Sequence, residues 1–179
     1  HFIGYYLDNE LPFASYQNGD PLRGIDLKHF LSLPDRYKAA RTYAEKFMQE
    51  RGIVSPAAIT KADQEDFRGV VSDYYYQLTT TTVRRYDTEH LILGTRLHDW
   101  SKYNQKVVEA CARYCDVVSV NYYGRWQPET DFLANLKAWC AVKPFLVSEF
   151  YTKAEDASYK GVKYASGCWN PCAAFRTRS

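Results

Sequence analysis

The stretch Phe2-Ile-Gly-Tyr-Tyr-Leu-Asp-Asn-Glu10 is an apolar run that ends in carboxylates, and the run Phe145-Leu-Val-Ser-Glu149 ends in the same way. Each acid is the polar tip of a segment with the character of a buried strand. A fold that gathers strand tips at one edge would make the two acids a pair. Two carboxylates facing each other across a cleft are what acid-assisted hydrolysis of a sugar bond requires. The alternative, a solvated acid at a strand end, suits a lone glutamate. Two acids at equivalent places, with aromatics around both, favour a site.

Short apolar runs alternate along the chain with stretches of helical periodicity. The runs are predicted strands at residues 2–7, 91–95, 117–121 and 145–148. The periodic stretches between them predict helices at residues 37–48, 63–78, 103–114 and 132–139, of which the second and fourth have Asp63 and Asp131 near their starts. Strands that alternate with helices predict a parallel sheet.

Side-chain alternation within the strands distinguishes two parallel architectures. Around residue 120, Val118, Val120 and Tyr122 share one face, and the small or polar residues Ser119 and Asn121 share the other, together with Tyr123. In the second strand the same rule groups Leu91, Leu93 and Thr95, and in the first it aligns Gly4, Tyr6, Asp8 and Glu10. An aliphatic outer face with a polar inner face favours a barrel over a doubly wound sheet. A complete eightfold barrel takes about 250 residues. The sequence therefore predicts an α/β fold that is the C-terminal half of a (β/α)8 TIM barrel, roughly strands four to seven with their helices.

Composition excludes several classes of partner. The 179 residues carry a net charge of +2 with both signs mixed, so we expect no nucleic-acid partner. No run approaches the roughly 18 apolar residues of a membrane helix. Five cysteines form an odd set whose spacing does not match a zinc site, so we expect no metal. Sixteen Tyr and four Trp suit a site that stacks on sugar rings, although tyrosines that only fill a core would give the same count.

Four segments recur in a fixed order from residue 2 to about residue 165. They are Gly-Tyr-x-x-Asp-Asn-Glu-Leu, Leu-Gly-x-Arg, Cys-Asp-Val-Val-Ser-x-Asn-x-Tyr and Gly-x-Lys-Tyr-Ala. In this set the chain resembles the clan A glycoside hydrolases, and among them the bacterial agarase-type enzymes. The Asn-Glu pair at Asn9 and Glu10 is similar to the end of their fourth barrel strand, and the segment that ends at Glu149 is similar to their seventh.

The resemblance implies a role for each matching residue. Glu10 corresponds to the general acid/base and Glu149 to the nucleophile. Asn9 corresponds to the residue that hydrogen-bonds the sugar hydroxyl beside the reacting carbon. Further rim residues are expected to orient the nucleophile or bind substrate: Arg96, Asn121, Tyr123 and the aromatic Trp126.

The implied reaction is endo-type hydrolysis of a β-linked galactan such as agarose, with retention of configuration and without metal or organic cofactor. The partner is thus a polysaccharide or oligosaccharide, and we expect the parent protein to be secreted, periplasmic or at the bacterial cell surface. The likeness ends after Ala165, so residues 1–165 are assigned to a partial barrel domain and residues 166–179 to an atypical tail. A Pro12-Phe13 pair also replaces the Trp that usually follows Asn-Glu-Leu. With barrel strands missing, we expect the chain alone to have little or no activity.

Two other functions fit parts of the sequence. A carbohydrate-binding module without catalysis would use four aromatic residues as stacking platforms: Trp100, Trp126, Tyr122 and Tyr123. The presence of two strand-end acids, and not one, argues against it. A phosphate-dependent barrel enzyme would need a glycine-rich loop near its late strands, which Ser148-Glu-Phe-Tyr151 does not supply.

Overall fold

The computed structural model describes residues 1–14, 25–123, 125 and 127–150, together with the backbone of residues 152–153 and 168–169. Strands and helices alternate over most of this range, as the sequence predicts. In chain order the elements are β1 (Gly4–Tyr5), α1 (Leu27–Leu31), α2 (Lys38–Glu50), α3 (Lys61–Arg84), β2 (Leu91–Ile92), α4 (Gln105–Tyr114), β3 (Val118–Asn121), α5 (Thr130–Trp139), β4 (Phe145–Glu149), β5 (Thr152–Lys153) and β6 (Cys168–Trp169).

The first four strands lie side by side in chain order and all run parallel. β1 pairs with β2 and β3 pairs with β4. The two pairs are joined just beyond the end of β2, where Leu97 forms a parallel bridge with Val120 of β3. The predicted parallel α/β arrangement is therefore confirmed. Parallel strands place their carboxyl ends at one edge, so the residues after β1, β2, β3 and β4 share a rim.

β1 and its continuation pack unusually close to β2. A Cβ atom at Gly4 would lie 2.1 Å from the carbonyl oxygen of Leu91, so only glycine permits this approach. Backbone pairing continues past the short strand: the N–H of Leu7 donates to Gly94 at 2.9 Å and the N–H of Glu10 donates to Thr95 at 3.0 Å. These bonds carry Glu10 to the rim in register with β2.

The two acidic residues that the sequence placed near helix starts lie in the first turns of helices. Asp63 lies in the first turn of α3, where Thr60 and Asp63 form a reciprocal capping box, and Asp131 lies in the first turn of α5. α3 runs to Arg84, beyond the predicted end at residue 78, through a run of threonines. Hydroxyls in that run donate to carbonyls one turn back, as Thr80 does to Tyr76 at 2.6 Å, so these β-branched residues are satisfied inside the helix.

The main core lies between the strands and α3, α4 and α5. Its buried members are Phe13, Tyr76, Ile92, Leu97, Val107, Val108, Ala110, Cys111, Ala112, Cys115, Val118, Val120, Tyr122, Phe132, Leu136 and Cys140. The three cysteines in it are free thiols. A smaller cluster holds α1 and α2 against α3 around Phe67. The short helix α1, which the sequence did not predict, contributes its buried Leu27 to this cluster.

The predicted alternation holds in β3 and fails in β1 and β2. Thr95 Oγ1 lies 2.7 Å from Tyr76 Oη of α3, so Thr95 faces the helices although Leu91, predicted on its face, is exposed. The cause is Gly94, whose φ of 82° breaks the two-residue repeat. Asp8 was expected to align with Glu10, but it accepts a hydrogen bond from Tyr75 of α3.

Parts of the prediction fall outside the described residues. The boundary between the barrel domain and the tail at residues 165 and 166 lies there, as do residues 15–24, Trp126 and most of the region after residue 150. Within the described residues, no helix is both long and apolar enough to cross a membrane.

The capping box at Thr60 should contribute measurably to stability. Replacing Thr60 with Ala removes the side-chain acceptor of the Asp63 N–H, so we expect the free energy of unfolding to fall by about 1 kcal/mol. Urea unfolding monitored by circular dichroism measures this change. Thr60→Ser keeps the hydroxyl and should restore most of the loss; equal losses in both variants would show that the cap does not matter.

Asp87 connects β1 to the turn before β2 at the end of the sheet opposite the rim. Its carboxylate accepts from the His90 N–H, the Tyr5 hydroxyl at 2.7 Å and the His90 ring, and these bonds hold the pKa of Asp87 well below its usual range. A lowered folded-state pKa gives stability that is present above the unfolded-state value near 4 and is lost as pH falls.

We therefore expect Asp87→Asn to be less stable than the wild type at pH 7, with the difference shrinking as the pH falls below about 4. Urea unfolding at pH 7 and pH 3 measures both differences. Asp35→Asn, at an exposed position on the 3-10 turn before α2, is the control and should change little. A constant difference across this pH range would contradict the assignment.

Candidate active site

Asn121, the last residue of β3, brings the two strand-end glutamates together. Its buried side-chain Nδ2 donates to Glu10 Oε1 at 2.7 Å and lies 3.5 Å from Glu149 Oε2. The two carboxylate oxygens therefore lie within about 6 Å of each other, because the two distances laid end to end are their greatest possible separation. Residues that are far apart in the sequence thus form one pair at the rim.

Ser148 sets the orientation of the Asn121 amide. The Ser148 hydroxyl donates to Asn121 Oδ1 at 2.9 Å, and the backbone carbonyl of Val120 lies 3.2 Å from the same hydroxyl. With its oxygen engaged in this way, the amide presents its NH₂ group to the two carboxylates. An amide turned the other way would place its oxygen, which cannot donate a hydrogen bond, against oxygens of both glutamates.

A β-bulge turns Glu149 toward Asn121. Val120 pairs with Val147, but the next residue of β3, Asn121, pairs with Glu149, so Ser148 is an extra residue in β4. Val147 packs against the main core. Strict alternation would place Glu149 on that same side, and the bulge instead turns it to the polar side. The Tyr122 N–H donates to the Glu149 carbonyl at 2.8 Å and closes the irregular pairing.

Arg96 neutralises Glu149. Its guanidinium forms an ion pair and hydrogen bond with Glu149 Oε2 and lies over the Tyr6 ring, 5.6 Å from the ring centroid. The next residue, Leu97, is buried and clamped to β3 through both its N–H and its carbonyl. This clamp holds Arg96 on the inner side of the sheet, where its guanidinium is in place to pair with the Glu149 carboxylate.

The backbone at the rim is strained. Non-glycine residues with left-handed φ in the described part of the chain are Glu10 (55°), Arg96 (50°), Asp99 (44°) and Ala141 (53°), and the first three lie together after β1 and β2. Each such residue costs of order 1–3 kcal/mol and persists only where the surrounding structure holds it. Clustering of such strain is typical of functional sites.

The geometry gives the two carboxylates different surroundings. Glu149 is paired with an arginine, whereas Glu10 contacts an amide and, at 3.8 Å, the imidazole Nδ1 of His98. Two acids in unlike environments can take separate acid and nucleophile roles. Within the described residues, no group of three or more His, Cys, Asp or Glu side chains is arranged to hold a metal ion.

The fold is similar to solved structures of agarases. With the structure named BpGH50 the chain shares 35% sequence identity at a TM-score of 0.74, over 86% of this chain and 33% of that one. With the agarase AgWH50C the sequence identity is 26% and the TM-score is 0.62, over 88% of this chain and 23% of that one. With an exo-β-agarase the sequence identity is 26% and the TM-score is 0.65, over 86% of this chain and 24% of that one. No protein-family model matches the sequence, and a comparison with curated proteins gave no match.

The chain has the fold of part of an agarase-type glycoside hydrolase. It spans about a quarter to a third of the length of these similar structures.

The seven residues that the sequence predicts for the site fall into four groups. Glu10, Glu149, Arg96 and Asn121 form the connected cluster described above. Tyr123 adjoins it through an edge-to-face contact with His98, at 5.6 Å between ring centroids. Asn9 lies beside Glu10 but is exposed, and its backbone N–H bonds to Asp8. Trp126 lies outside the described residues, so its predicted stacking role stays a prediction.

Sequence reasoning missed two residues of this candidate site. His98 could have been found, since it follows Arg96 by two positions and so shares its face. Ser148 could not, because alternation alone does not reveal a bulge.

A buried cation lies behind the site. Lys102 is only 7% exposed, and its ammonium lies 4.9 Å from the Tyr103 ring centroid and 5.7 Å from that of Tyr122. Burial lowers the pKa of Lys102, and the charges of Asp99, Glu10 and Glu129 oppose that effect. The neighbouring Tyr122 donates its hydroxyl to Glu129, and burial together with this bond raises the pKa of Tyr122 to about 12. Tyr122 therefore stays a neutral donor at physiological pH.

Replacing Asn121 with Asp tests the bridging contact without reference to activity. The change removes the shared donor and puts a third carboxylate beside Glu10 and Glu149. We expect a loss of about 1–3 kcal/mol in the free energy of unfolding at pH 7. The loss should shrink toward pH 4.5, since crowded carboxylates bind protons more readily in the folded state than in the unfolded one.

Urea unfolding at both pH values measures this effect. Asn9→Asp is the matched control: it makes the same charge change at an exposed neighbouring position and should alter stability by less than about 0.5 kcal/mol. Equal behaviour of the two variants would refute the bridge.

Proposed function

We propose that this chain carries the catalytic pair of a retaining glycoside hydrolase that acts on a β-linked galactan such as agarose. The observation that supports this most directly is the sharing of Asn121 Nδ2 by Glu10 and Glu149. Retaining enzymes hold their two carboxyl groups about 5 to 5.5 Å apart, whereas inverting enzymes separate them by about 6.5 to 9.5 Å to admit a water molecule. An upper bound near 6 Å favours retention.

In the first step, Glu149 acts as the nucleophile. One of its carboxylate oxygens donates an electron pair to the anomeric carbon, and the bond from that carbon to the leaving oxygen breaks. Glu10 gives its proton to the leaving oxygen, so the departing sugar leaves as a neutral alcohol. A glycosyl ester on Glu149 remains.

In the second step, Glu10 acts as the base. Its carboxylate takes a proton from a water molecule as the water oxygen attacks the anomeric carbon, and the ester bond to Glu149 breaks. Glu10 is again protonated and Glu149 is again a carboxylate. Arg96 supports both ends of this cycle, since its ion pair holds the Glu149 carboxylate in one orientation.

The remaining predicted residues are assigned to substrate. We propose that Asn9 hydrogen-bonds the hydroxyl beside the reacting carbon, because its side chain is exposed next to Glu10. Tyr123 and Trp126 are proposed to contact sugar rings, and Arg96 and Asn121 to order the pair of acids. A binding module without catalysis would have no use for an amide that joins two carboxylates.

The mode of attack is proposed from the comparisons. One similar structure is an exo-β-agarase. In place of the endo action expected from the sequence, we therefore favour release of short products from chain ends. The ratio of viscosity loss to new reducing ends on agarose decides between the two: exo action leaves viscosity high while reducing ends accumulate.

Three broader proposals accompany the activity. The chain corresponds to strands four to seven of a (β/α)8 barrel, since it carries the acid/base and nucleophile strands in that order.

The 179 residues alone have little activity, because inner positions such as Leu91 and Leu146 are 39% and 43% exposed and lack the cover that the rest of a barrel would provide. The gene product acts outside the cytoplasm, in the periplasm, at the cell surface or in the medium, since polysaccharides do not cross membranes.

Replacing each glutamate in the full-length gene product tests the proposal. We expect Glu10→Gln to lower the rate on agarose oligosaccharides by at least about 100-fold, as for loss of a general acid. Glu149→Gln should abolish turnover. Glu45→Gln on α2, an exposed salt-bridging position, should leave the rate unchanged.

Product stereochemistry gives a second and independent readout. Proton NMR of the first-formed product should show the β-anomer, and azide should rescue a Glu10→Ala variant on an activated substrate as the β-glycosyl azide. First-formed α-anomer would show inversion and remove Glu149 from the nucleophile role. Full activity of Glu10→Gln would remove Glu10 from the acid role.

A further inference from the structure

In the described part of the chain, the polar contacts of Glu10 are made through one of its two carboxylate oxygens. Oε1 accepts from Asn121 Nδ2 at 2.7 Å and lies 3.8 Å from His98 Nδ1. Among the described residues, Oε2 has no hydrogen-bond partner. The free oxygen is therefore the one that can carry the proton to a sugar oxygen, and the contacts to Oε1 decide where Oε2 points.

His98 is fixed on the inner side by its neighbours in the chain. Leu97 is clamped to β3, so the residues on either side of it, Arg96 and His98, extend to the side of Asn121. The His98 ring packs edge-to-face against Tyr123, with 74° between the ring planes. Its side chain and that of Glu10 are each 31% exposed, so the pair lies at the mouth of the site.

A second set of bonds ties the His98 turn to the backbone after Glu10. The Ser101 N–H donates to the His98 carbonyl at 3.1 Å. The Ser101 hydroxyl donates to the carbonyl of Leu11 at 3.2 Å and accepts from the N–H of Ala14 at 3.2 Å. Hydrogen bonds through Ser101 therefore join the segment that bears His98 to the segment that bears Glu10.

We propose that His98 is a positioning residue for the general acid/base Glu10. Its Nδ1 faces Oε1, so it limits rotation of the carboxyl group and directs Oε2 toward the leaving oxygen. The imidazole exchanges no proton in either step, which leaves the atom and charge balance of the two steps unchanged. This inference rests on the proposed function.

The surroundings of His98 support a selective effect on Glu10. The nearest cation from its own segment, Arg96, is engaged by Glu149. Lys102 is buried over the Tyr103 and Tyr122 rings, and Asp99 begins the turn that follows His98. Among the described acids, Glu10 is the carboxylate within ion-pair distance of the His98 ring.

Two substitutions separate the contribution of the His98 ring nitrogen from that of the aromatic ring. His98→Phe keeps an aromatic ring against Tyr123 and removes Nδ1. His98→Asn keeps a nitrogen near the position of Nδ1 and removes the ring. His29→Phe on α1 is the matched control, since it makes the same change away from the two glutamates.

The full-length gene product is assayed on two substrates that differ in their need for acid catalysis. We expect His98→Phe to slow cleavage of an agarose oligosaccharide by about 10- to 100-fold, as for misplacement of a catalytic group. A nitrophenyl β-galactoside releases a good leaving group that needs no proton, so its kcat/KM, which reports the first step alone, should fall by less than about 3-fold. The rates on the oligosaccharide are likewise compared as kcat/KM, because Glu10 serves as the base in the second step with either substrate. His29→Phe should stay near the wild-type rate on both substrates, and His98→Asn should recover most of the rate that His98→Phe loses on the oligosaccharide.

Equal losses on both substrates, or no loss with His98→Phe, would overturn the proposal, because a merely structural role does not discriminate between leaving groups. A wild type that cleaves neither substrate would count against the proposed function instead. NMR of the ¹⁵N-labelled imidazoles then tests the contact between His98 and Glu10 directly. Glu10→Gln should shift the His98 signals and leave those of His29 in place, and unchanged His98 signals would overturn the inference.

Discussion

The hydrogen-bonding NH₂ group of Asn121 is the contact on which the rim depends. Two carboxylates placed this close repel each other, and a buried amide donor between them reduces that cost. The contact requires that β1, β3 and β4 end at the same edge, which parallel pairing in chain order provides. It also requires an amide turned the right way, which Ser148 provides. Arg96 then gives one of the two acids a permanent counter-charge.

The rim is a costly part of the structure, and its support lies elsewhere. Left-handed φ at Glu10, Arg96 and Asp99 and the crowded acids all work against folding. The buried core against α3, α4 and α5 supplies the opposing free energy, together with local devices such as the α3 capping box and the hydrogen-bonded Asp87 at the far end of the sheet. Strain at one edge and stability in the body of the sheet is a common division in sites that hold side chains in fixed positions.

Local patterns predicted much of the fold because they depend on neighbours in the chain. The alternation of strands and helices, the acidic helix starts at Asp63 and Asp131 and the inner and outer faces of β3 all follow from residue type and spacing. The same reasoning failed where one residue changed the repeat. Gly94 turned Thr95 toward α3, and the backbone at Glu10 separated its side chain from Asp8.

By itself, the sequence determined the order of the elements, the burial of β3 and the presence of an acid at the end of two predicted strands. Only the tertiary structure decided that these acids lie close together and that Glu149 turns to the polar side. It also decided that Ser148 bonds to Asn121 and that His98 lies beside Glu10. The physical reason is that a β-bulge and a left-handed backbone conformation form in response to the neighbouring strand. They satisfy hydrogen bonds between segments that are distant in sequence, so no local pattern of residues predicts them.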